Sequence, residues 1–421
     1  MLLLALAIAA VQADTSVLGP RLSLQTVVAR TLAYSPGIAT AHGVVRDASS
    51  ARRVALGAYL PSLSLTSSAG WNDPTSAASL SSSIARNTYG AGVAASLDVF
   101  TGGRRGAQRS AADAEARAAD AGWVFERYAT ILTAKQGYFA VLRARELERV
   151  AQEFIAEAEL GLTYATDRAA TGTATRSDVL RARLAVAAAR RQWLAAEDTL
   201  AMAGAALGRL VGADGPVDAE PLTSLEPTPL ALSDSGVRAL APAVAPQVVA
   251  ADAQAVAGAA LVRSSKSQYV PTISAGAGYS WANAVTTSAA TRTGWVFAIT
   301  TSFPLFNGFV REASVTHAEA VADVARVASA DTRRFTRAEA QRLLGSLHVA
   351  EQDIGLTGES VRLAREDLRV IQSRYRAGIA TILDVLVSQT ALVQSELDLV
   401  SAQFNYQLAR ASLEALLGRD L

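Results

Sequence analysis

Four segments of the chain alternate hydrophobic with small or polar residues at a period of two. Successive side chains of a strand point to opposite faces, so each segment predicts a strand with one apolar and one polar face. This pattern, with aromatic residues near the ends, is typical of a transmembrane β-barrel, and a soluble β-sandwich is the alternative. The strands are predicted at 59–71, 89–100, 269–281 and 294–306, with Tyr59, Trp71, Tyr89, Tyr269, Tyr279, Trp281 and Trp295 as membrane-interface aromatics.

The number of strands limits how a barrel can form. The smallest membrane barrels have about eight strands, so four strands of one chain cannot close a barrel. Several copies must therefore share it. Arithmetic alone allows about 8 strands in a dimer, 12 in a trimer or 16 in a tetramer.

A long helical pattern without proline follows each pair of strands, at 104–170 and 311–377. At 1.5 Å per residue, each helix could extend roughly 100 Å. A second helix follows each one, at 177–210 and 383–417, after a turn that contains Gly172 or Gly378. Each half of the chain is therefore expected to form one β-hairpin and one long antiparallel helical hairpin.

The last helix carries two apolar stripes. One follows the alternating spacing of three and four residues that is typical of a coiled-coil seam. The other repeats every seven residues and lies about 100° away around the helix. Two stripes fit a helix with neighbours on both sides, as in the wall of an α-helical barrel; an ordinary bundle helix is the alternative. The stripes are Leu383, Leu386, Thr390, Val393, Leu397, Val400 and Phe404, and Val385, Leu392, Leu399, Tyr406 and Leu413.

These elements occur twice in the same order. Tyr59-Leu60-Pro61 is echoed by Tyr269-Val270-Pro271, 210 residues later, and the turns at Gly172 and Gly378 lie 206 residues apart. The repetition predicts two structural repeats, 14–212 and 235–421, of duplicated architecture. Between them, 213–234 contains four prolines and is expected to form an extended linker.

The N-terminus resembles a secretory signal peptide. Residues 1–13 are a short apolar run that ends in Val11-Gln12-Ala13, a small-residue cleavage pattern. The basic residues that normally precede such a run are missing, which indicates a truncated start; the beginning of a buried helix is the alternative. No other run of 18 or more apolar residues occurs, so a membrane location would depend on the strands.

Composition argues against several classes of function. The net charge is +1, and the arginines are scattered among acidic residues, which fits solvated helix faces rather than nucleic-acid binding. There are no cysteines, and the three histidines lack metal-ligand spacing. Gly102-Gly103 lacks the lysine of a phosphate-binding loop. We therefore expect no catalytic, cofactor or metal site and no enzymatic activity.

With these motifs in order, the chain resembles the TolC-like outer-membrane factor family. The features that carry the resemblance are the duplication, the Tyr-x-Pro entries to the strands, Pro304-Leu305-Phe306-Asn307-Gly308, and the tip sequence from Tyr375 to Leu386. The resemblance implies a mainly α, tandem-repeat fold with four strands and two helical hairpins per chain. Three chains would form a homotrimer with a twelve-stranded β-barrel in the lipid of a Gram-negative outer membrane and an α-helical barrel in the periplasm.

The family resemblance also implies a function and partners. The expected function is passive conduction of substrates in a tripartite efflux or type I secretion system. The expected partners are a periplasmic adaptor protein and an inner-membrane pump or ABC transporter. The alternative is a non-conducting trimeric coiled-coil tether between the outer membrane and the cell wall.

The resemblance assigns roles at the helical tips. Asp384 matches an acidic position that rings the periplasmic aperture, and Tyr375 matches a tyrosine that holds the closed state. A second acid of the family pattern is replaced by Val387. The alternative for Asp384 is a plain N-cap of the returning helix, which Asp178 at the same place in the first repeat supports. The tip residues Gly172, Thr173, Ala174, Gly378, Ile379 and Ala380 are expected to dock the adaptor; the alternative is that they only form the turns.

Overall fold

The computed structural model describes residues 19–71, 87–222, 225–283 and 291–421. The predicted signal segment lies outside these ranges, as do most of the loops between paired strands. The chain divides into two compact units. One comprises the N-terminal residues up to Ala39 with Val124–Ala245 and Thr336–Leu421, and the other comprises Thr40–Trp123 and Pro246–Phe335.

The described part of the chain is mainly helical. The elements are β1 (Arg21–Leu22), α1 (Leu24–Tyr34), α2 (Pro36–Gly57), β2 (Ser62–Trp71), β3 (Asn87–Phe100), α3 (Arg104–Ala170), α4 (Arg176–Leu210), β4 (Asp218–Ala219), α5 (Asp234–Val244), α6 (Pro246–Lys266), β5 (Thr272–Asn283), β6 (Thr291–Ser302), α7 (Val310–Arg376) and α8 (Ile382–Leu417). The four long helices begin and end within one residue of the predicted ranges. The strands of the second repeat are shifted by up to four.

The four long strands form one antiparallel sheet in the order β2-β3-β5-β6. The pairing of β3 with β5 joins the two repeats, with a bulge between Asp98 and Phe100. The register places hydrophobic residues opposite one another on one face, as at Leu65↔Val93 and Ala277↔Phe297. The other face pairs small and polar residues, as at Gly92↔Ser280.

Strands β2 and β5 begin about three residues later than predicted, at Ser62 and Thr272. Pro61 and Pro271 stand just before them, and proline cannot donate a hydrogen bond to a neighbouring strand. Tyr59 and Tyr269 therefore lie at the corners between helix and strand rather than in the strands.

The two corners are built alike. The guanidinium of Arg105 lies 5.0 Å from the centre of the Tyr59 ring, and that of Arg311 lies 5.0 Å from the Tyr269 ring. Arg105 also donates to the carbonyl of Val99, while Arg311 donates to that of Pro304. An arginine stacked on a tyrosine face gains a cation–π attraction. Each corner is therefore stabilised by this attraction and by a hydrogen bond from the same arginine to a backbone carbonyl.

The short helices repeat as well. Helix α5 begins and ends 210 residues after α1, and the side chains of Ser23 and Ser233 cap the two helices by accepting from backbone N–H groups. In each helix one valine, Val27 or Val237, is completely buried. Val27 packs among residues of α3, α4 and α8, whereas Val237 packs against α7 and α8. The duplication thus extends to the packing of each short helix.

His348, isolated in the sequence, has acidic neighbours in the fold. Its Nε2 lies 2.8 Å from Oδ2 of Asp234, at the start of α5, and its Nδ1 lies 3.7 Å from Glu351. The hydrogen bond with Asp234 is the main cause that raises the pKa of His348 above its ordinary value. The contact between protonated His348 and Asp234 therefore stabilises the folded protein. This stabilisation is complete at pH values below the ordinary histidine pKa and is lost as pH rises through the raised pKa.

Each helical hairpin holds one ion pair at the equivalent place, with the charges exchanged. Glu159 of α3 pairs with Arg190 of α4 at 2.7 Å. In the second hairpin, 206 residues on, Arg365 of α7 pairs with Glu396 of α8 at 2.8 Å. Because the acidic and the basic residue exchange places between the two hairpins, an attraction between the paired helices is present in both.

The expected extended linker contains an anchored segment. Its residues Asp218–Ala219 form β4, which pairs in parallel with β1. The Asp218 side chain is fully buried and accepts from Nε of Arg21 at 3.1 Å and from the guanidinium of Arg145. Sequence analysis missed this site because the four prolines around it indicated only an irregular chain.

The same segment folds back over the end of α4 at Gly208. A Cβ atom placed on Gly208 would lie 2.1 Å from the carbonyl oxygen of Gly215, a backbone atom that can shift only at a cost in free energy. Gly208→Ala should therefore destabilise the protein by about 1–3 kcal/mol, the usual cost of overpacking. Urea unfolding of the purified protein measures this effect. Gly122→Ala, on α3, is the control because a Cβ there meets open space; equal effects of the two substitutions would contradict the expectation.

Among the described residues, one helical segment is long and apolar enough to span a membrane. Across Asp234–Tyr269 an 18-residue window reaches a mean hydropathy of 1.2, although 39% of that window is buried in the protein. The segment is divided between α5 and α6 at Ala245, and its apolar character comes largely from alanine and valine. Length and composition alone are weak evidence for a membrane span, since buried helices meet the same criteria.

Candidate aperture at the helical tips

Both hairpins turn through a glycine with a left-handed backbone. Gly172 has φ +73° and Gly378 has φ +82°, a region that residues with a Cβ rarely adopt. The amide of Thr173 donates back to Arg168 O at 2.9 Å, and that of Ile379 donates to Arg374 O at 2.9 Å. These bonds satisfy carbonyls at the end of each outgoing helix. The predicted tip residues therefore do form the turns.

The returning helices begin with the same capping box. Thr381 is the N-cap of α8, and its hydroxyl accepts from the amide of Asp384 at 3.3 Å, while Oδ2 of Asp384 accepts from the amide of Thr381 at 2.8 Å. Thr175 and Asp178 repeat this arrangement at the start of α4. The alternative that Asp384 is itself the N-cap is thus corrected, because Asp384 is the third residue of the helix.

The capping box affects the charge of both aspartates. The backbone hydrogen bond from Thr381 is the main cause that lowers the pKa of Asp384 below its ordinary value, and that from Thr175 does the same for Asp178. A carboxylate that accepts hydrogen bonds is stabilised in its charged form. The carboxyl groups of Asp384 and Asp178 are therefore both charged at neutral pH.

Tyr375 is a buried residue of the tip. Its side chain is only 2% exposed and packs with Ala165, Ile382 and Val385, from α3 and α8. Its hydroxyl is buried without a hydrogen-bond partner among the described residues, and burial is the main cause that raises its pKa. At neutral pH the Tyr375 side chain is therefore uncharged and packs between the two hairpins.

Arg168 joins the two tips, and sequence analysis did not identify it. Its guanidinium lies 4.6 Å from the centre of the Tyr375 ring and donates to the carbonyl of Tyr375 at 2.7 Å. It also donates to the carbonyl of Thr173 in its own turn at 3.0 Å. One side chain of α3 thus holds the ends of both turns. The only sequence signal was a basic residue in the last turn of a helix, a common position.

The remaining predicted residues lie on the surface of the tips. Gly172, Thr173, Gly378 and Ile379 are exposed, whereas Ala174 and Ala380 are half-buried. Val387 lies one helical turn beyond Asp384 and is exposed together with Leu383. The structure thus brings Asp384 and Val387 to one exposed side of α8, and places Tyr375 inside the hairpin contact.

A groove of about 570 Å³ runs between α3 and the second hairpin. Both polar and apolar residues line it, among them Glu153, Glu157, Arg369, Gln372 and Leu392. Glu157 connects the two walls of the groove: its carboxylate accepts a hydrogen bond from Gln372 of α7 at 2.8 Å, and its backbone carbonyl accepts one from Gln389 of α8 at 2.8 Å. Sequence analysis did not predict this groove, since its walls come from segments about 200 residues apart.

A family comparison matches this architecture twice along the chain. The description "outer membrane efflux protein" fits residues 27–213 and again 238–419, one match for each repeat. The chain belongs to the outer membrane efflux protein family. The protein is therefore an outer-membrane protein that extends into the periplasm and serves efflux or export, and this family consists of transport proteins rather than enzymes.

Named relatives are similar along most of the chain. The pyoverdine export outer membrane protein OpmQ of Pseudomonas aeruginosa is 26% identical over 94% of this chain and 83% of its own length. Protein CyaE of Bordetella pertussis is 27% identical over 93% of this chain and 81% of its own. Both alignments extend across the two repeats.

Solved structures share the fold. The channel protein CusC superposes with a TM-score of 0.82 at 19% identity, covering 94% of this chain and 92% of CusC. The outer membrane protein VceC of Vibrio cholerae gives 0.79 at 21% identity, covering 94% of this chain and 96% of VceC. The predicted TolC-like tandem-repeat fold is confirmed.

Proposed function

We propose that this protein is a homotrimeric outer-membrane duct of a tripartite efflux or type I secretion system. In this proposal exported molecules cross the duct passively. An inner-membrane pump or ABC transporter supplies the energy, and a periplasmic adaptor links it to the tips. The relative named for pyoverdine export favours conduction over a tethering role.

The two-faced sheet carries this proposal. One face presents exposed large side chains such as Leu65, Phe297 and Ile299. Apart from Val296, the described pairs on the other face are small or polar, such as Ser64↔Ala94. Such a sheet suits a wall with lipid outside and water inside. Among the described residues, β2 and β6 each have one partner strand, so the sheet has two open edges. Pairing with other copies would satisfy these edges, and three copies supply twelve strands.

The aromatic residues support a membrane boundary. Trp71, Tyr89, Tyr279, Trp281 and Trp295 all lie toward the end of the sheet that bears the interstrand loops. The rings of Tyr279 and Trp295 are 5.1 Å apart. Tyr59 and Tyr269 lie at the opposite end, at the corners with the helices. Aromatic residues in two girdles are typical of a membrane barrel.

At the tips, we propose that Asp384 of three copies forms a carboxylate ring around the aperture. The hydrogen bonds from Thr381 to Oδ2 of Asp384 lower the pKa of this carboxyl group. Asp384 therefore stays charged at neutral pH and can attract a passing cation. Such a ring would favour cations. Val387 on the next turn adds no second ring, so divalent block would be moderate. The exposed Ile379 and its neighbours would meet the adaptor.

Single-channel recording in planar bilayers tests the duct and the ring together. Asp384→Asn should weaken block by Mg²⁺ several-fold and lower the preference for cations, because three carboxylates are removed from the path. Asp178→Asn is the matched control, since it removes the same charge from the same capping box in the other hairpin.

The outcomes separate the alternatives. Equal changes in both variants would leave Asp384 as a helix-capping residue only. A wild-type trimer that never conducts, even with the tips altered, would instead support the coiled-coil tether.

A further inference from the structure

The groove between α3 and the second hairpin contains a buried hydrogen-bond acceptor. Gln389 of α8 is 2% exposed, and its Oε1 has no hydrogen-bond partner among the described residues. Nε2 of Gln389 donates to the carbonyl of Glu157 at 2.8 Å, so the placing of the amide nitrogen and oxygen is fixed. Buried polar atoms of folded proteins nearly always have a partner. Oε1 of Gln389 therefore points to a ligand that carries a hydrogen-bond donor.

The charge of the groove favours a cation. Four carboxylates and two guanidinium groups line it, an excess of two negative charges: Glu153, Glu157, Glu366 and Glu396 with Arg365 and Arg369. Oε1 of Glu396 accepts from Arg365 at 2.8 Å. The Glu396 side chain is only 12% exposed, whereas Arg365 is 68% exposed and largely hydrated. A positive charge inside the groove would therefore meet a carboxylate that water screens little.

Two carboxylates lie ready on opposite walls. Oε2 of Glu157, on α3, accepts from Gln372, and Oε1 of Glu396, on α8, accepts from Arg365. These described contacts engage one oxygen of each carboxylate. The second oxygens and Oε1 of Gln389 are acceptors, and an ammonium group has three N–H donors and no acceptor. The acceptors of the groove thus match an ammonium ion in kind.

The size and the walls of the groove indicate an organic cation. Its volume of about 570 Å³ far exceeds the roughly 30 Å³ that one water molecule occupies in the liquid. Apolar side chains form much of the lining, among them Val150, Phe154 and Leu392. In the part of the chain that the structure describes, no three acidic, histidine or cysteine side chains lie close enough to hold a metal ion.

We propose that this groove binds a small organic cation with an apolar body, such as an arylammonium or alkylammonium ion. The ammonium group donates to Oε1 of Gln389 and to the carboxylates of Glu157 and Glu396, and the apolar body lies against Phe154 and Leu392. Because α3 and α8 belong to different hairpins, a bound cation joins the two hairpins. Glu157 lies 13 residues before the end of α3, about 20 Å from the tip, so the site is separate from the proposed aperture.

Three probes with the same ring separate the features of such a ligand. Benzylammonium carries a charge and N–H donors, benzyltrimethylammonium carries the charge alone, and benzyl alcohol carries a donor without charge. Isothermal titration calorimetry of the detergent-solubilised protein, against a blank of detergent micelles, measures their binding. Benzylammonium should bind at one site per chain, about tenfold more tightly than either of the other probes, the usual effect of a charge-assisted hydrogen bond.

Two variants place the binding in the groove. Glu396→Gln keeps the shape of the side chain and should weaken benzylammonium binding about tenfold. Glu359→Gln is the matched control, because Glu359 is a half-exposed acid of α7 outside the groove that pairs with Arg362. Gln389→Leu should abolish the preference for benzylammonium over benzyltrimethylammonium. This ratio reports the acceptor itself, and circular dichroism shows whether each variant is folded.

The outcomes decide the proposal without reference to conduction. The expected order of the probes, with weakening in Glu396→Gln and not in Glu359→Gln, supports the site. Equal binding of benzyl alcohol and benzylammonium would mean an apolar cleft only. Equal weakening in Glu396→Gln and Glu359→Gln would mean general attraction to an acidic surface. Either result, or no saturable binding of benzylammonium, overturns the proposal and leaves the proposed duct standing.

Discussion

Asp218→Ala should cost roughly 3–5 kcal/mol of stability, the usual loss when one partner of a buried ion pair is removed. Asp218 is fully buried between Arg21 and Arg145, and it also accepts from the amide of Ala219 at 2.8 Å. Removing it leaves the largely buried Arg145 without its carboxylate and loosens the pairing of β4 with β1.

Urea unfolding of the purified protein, followed by far-UV circular dichroism, measures this loss. Asp214→Ala is the matched control, because Asp214 lies four residues earlier in the same segment and is exposed. We expect the control to change stability by less than about 0.5 kcal/mol, as surface substitutions usually do. Equal midpoints for the two variants would show that the buried aspartate does not anchor the segment.

Arg168→Ala should separate the helical tips. The substitution removes charge-assisted hydrogen bonds to Tyr375 O and Thr173 O and the stacking on the Tyr375 ring. Together these are worth about 2–3 kcal/mol, which corresponds to a 30- to 150-fold shift toward separated tips. Under the proposed function, single-channel conductance should rise.

Hydrogen–deuterium exchange of the tip segments 168–180 and 372–386 provides a readout that does not depend on conduction. Exchange should accelerate in Arg168→Ala and remain unchanged in Arg176→Ala, which removes an exposed arginine of the same tip. Arg168→Lys should restore only part of the protection, since an ammonium cannot reproduce the planar guanidinium fork. Wild-type exchange rates in Arg168→Ala would mean that other contacts hold the tips.

The tips illustrate how far sequence reasoning reached. The turns at Gly172 and Gly378, and the acids that follow them, were predicted because capping and turn preferences depend on residues within one or two helical turns. The alternative that Asp384 is the N-cap was wrong by three positions, although the Asp384 side chain does take part in the capping box as the third residue of the helix. Threonine and aspartate are both good caps, and only the backbone geometry showed that Thr381 takes this position.

Other features were beyond local reasoning. Asp218 lies in a proline-rich segment that reads as irregular, and its partners Arg21 and Arg145 are distant in sequence. Arg168 resembles the many other arginines of the chain until the fold places Tyr375 beneath it. Contacts of this kind leave no period in the sequence.

The sequence by itself determined the strands with two unlike faces, the long helices, the duplication and the TolC-like resemblance. These follow from periodicity, helix capping and repetition, which are local or one-dimensional properties. Only the tertiary structure decided which repeat faces touch within one chain and where the linker is anchored. Those outcomes depend on side chains about 200 residues apart meeting in space, and the entropy of bringing them together is overcome only by the packed fold as a whole.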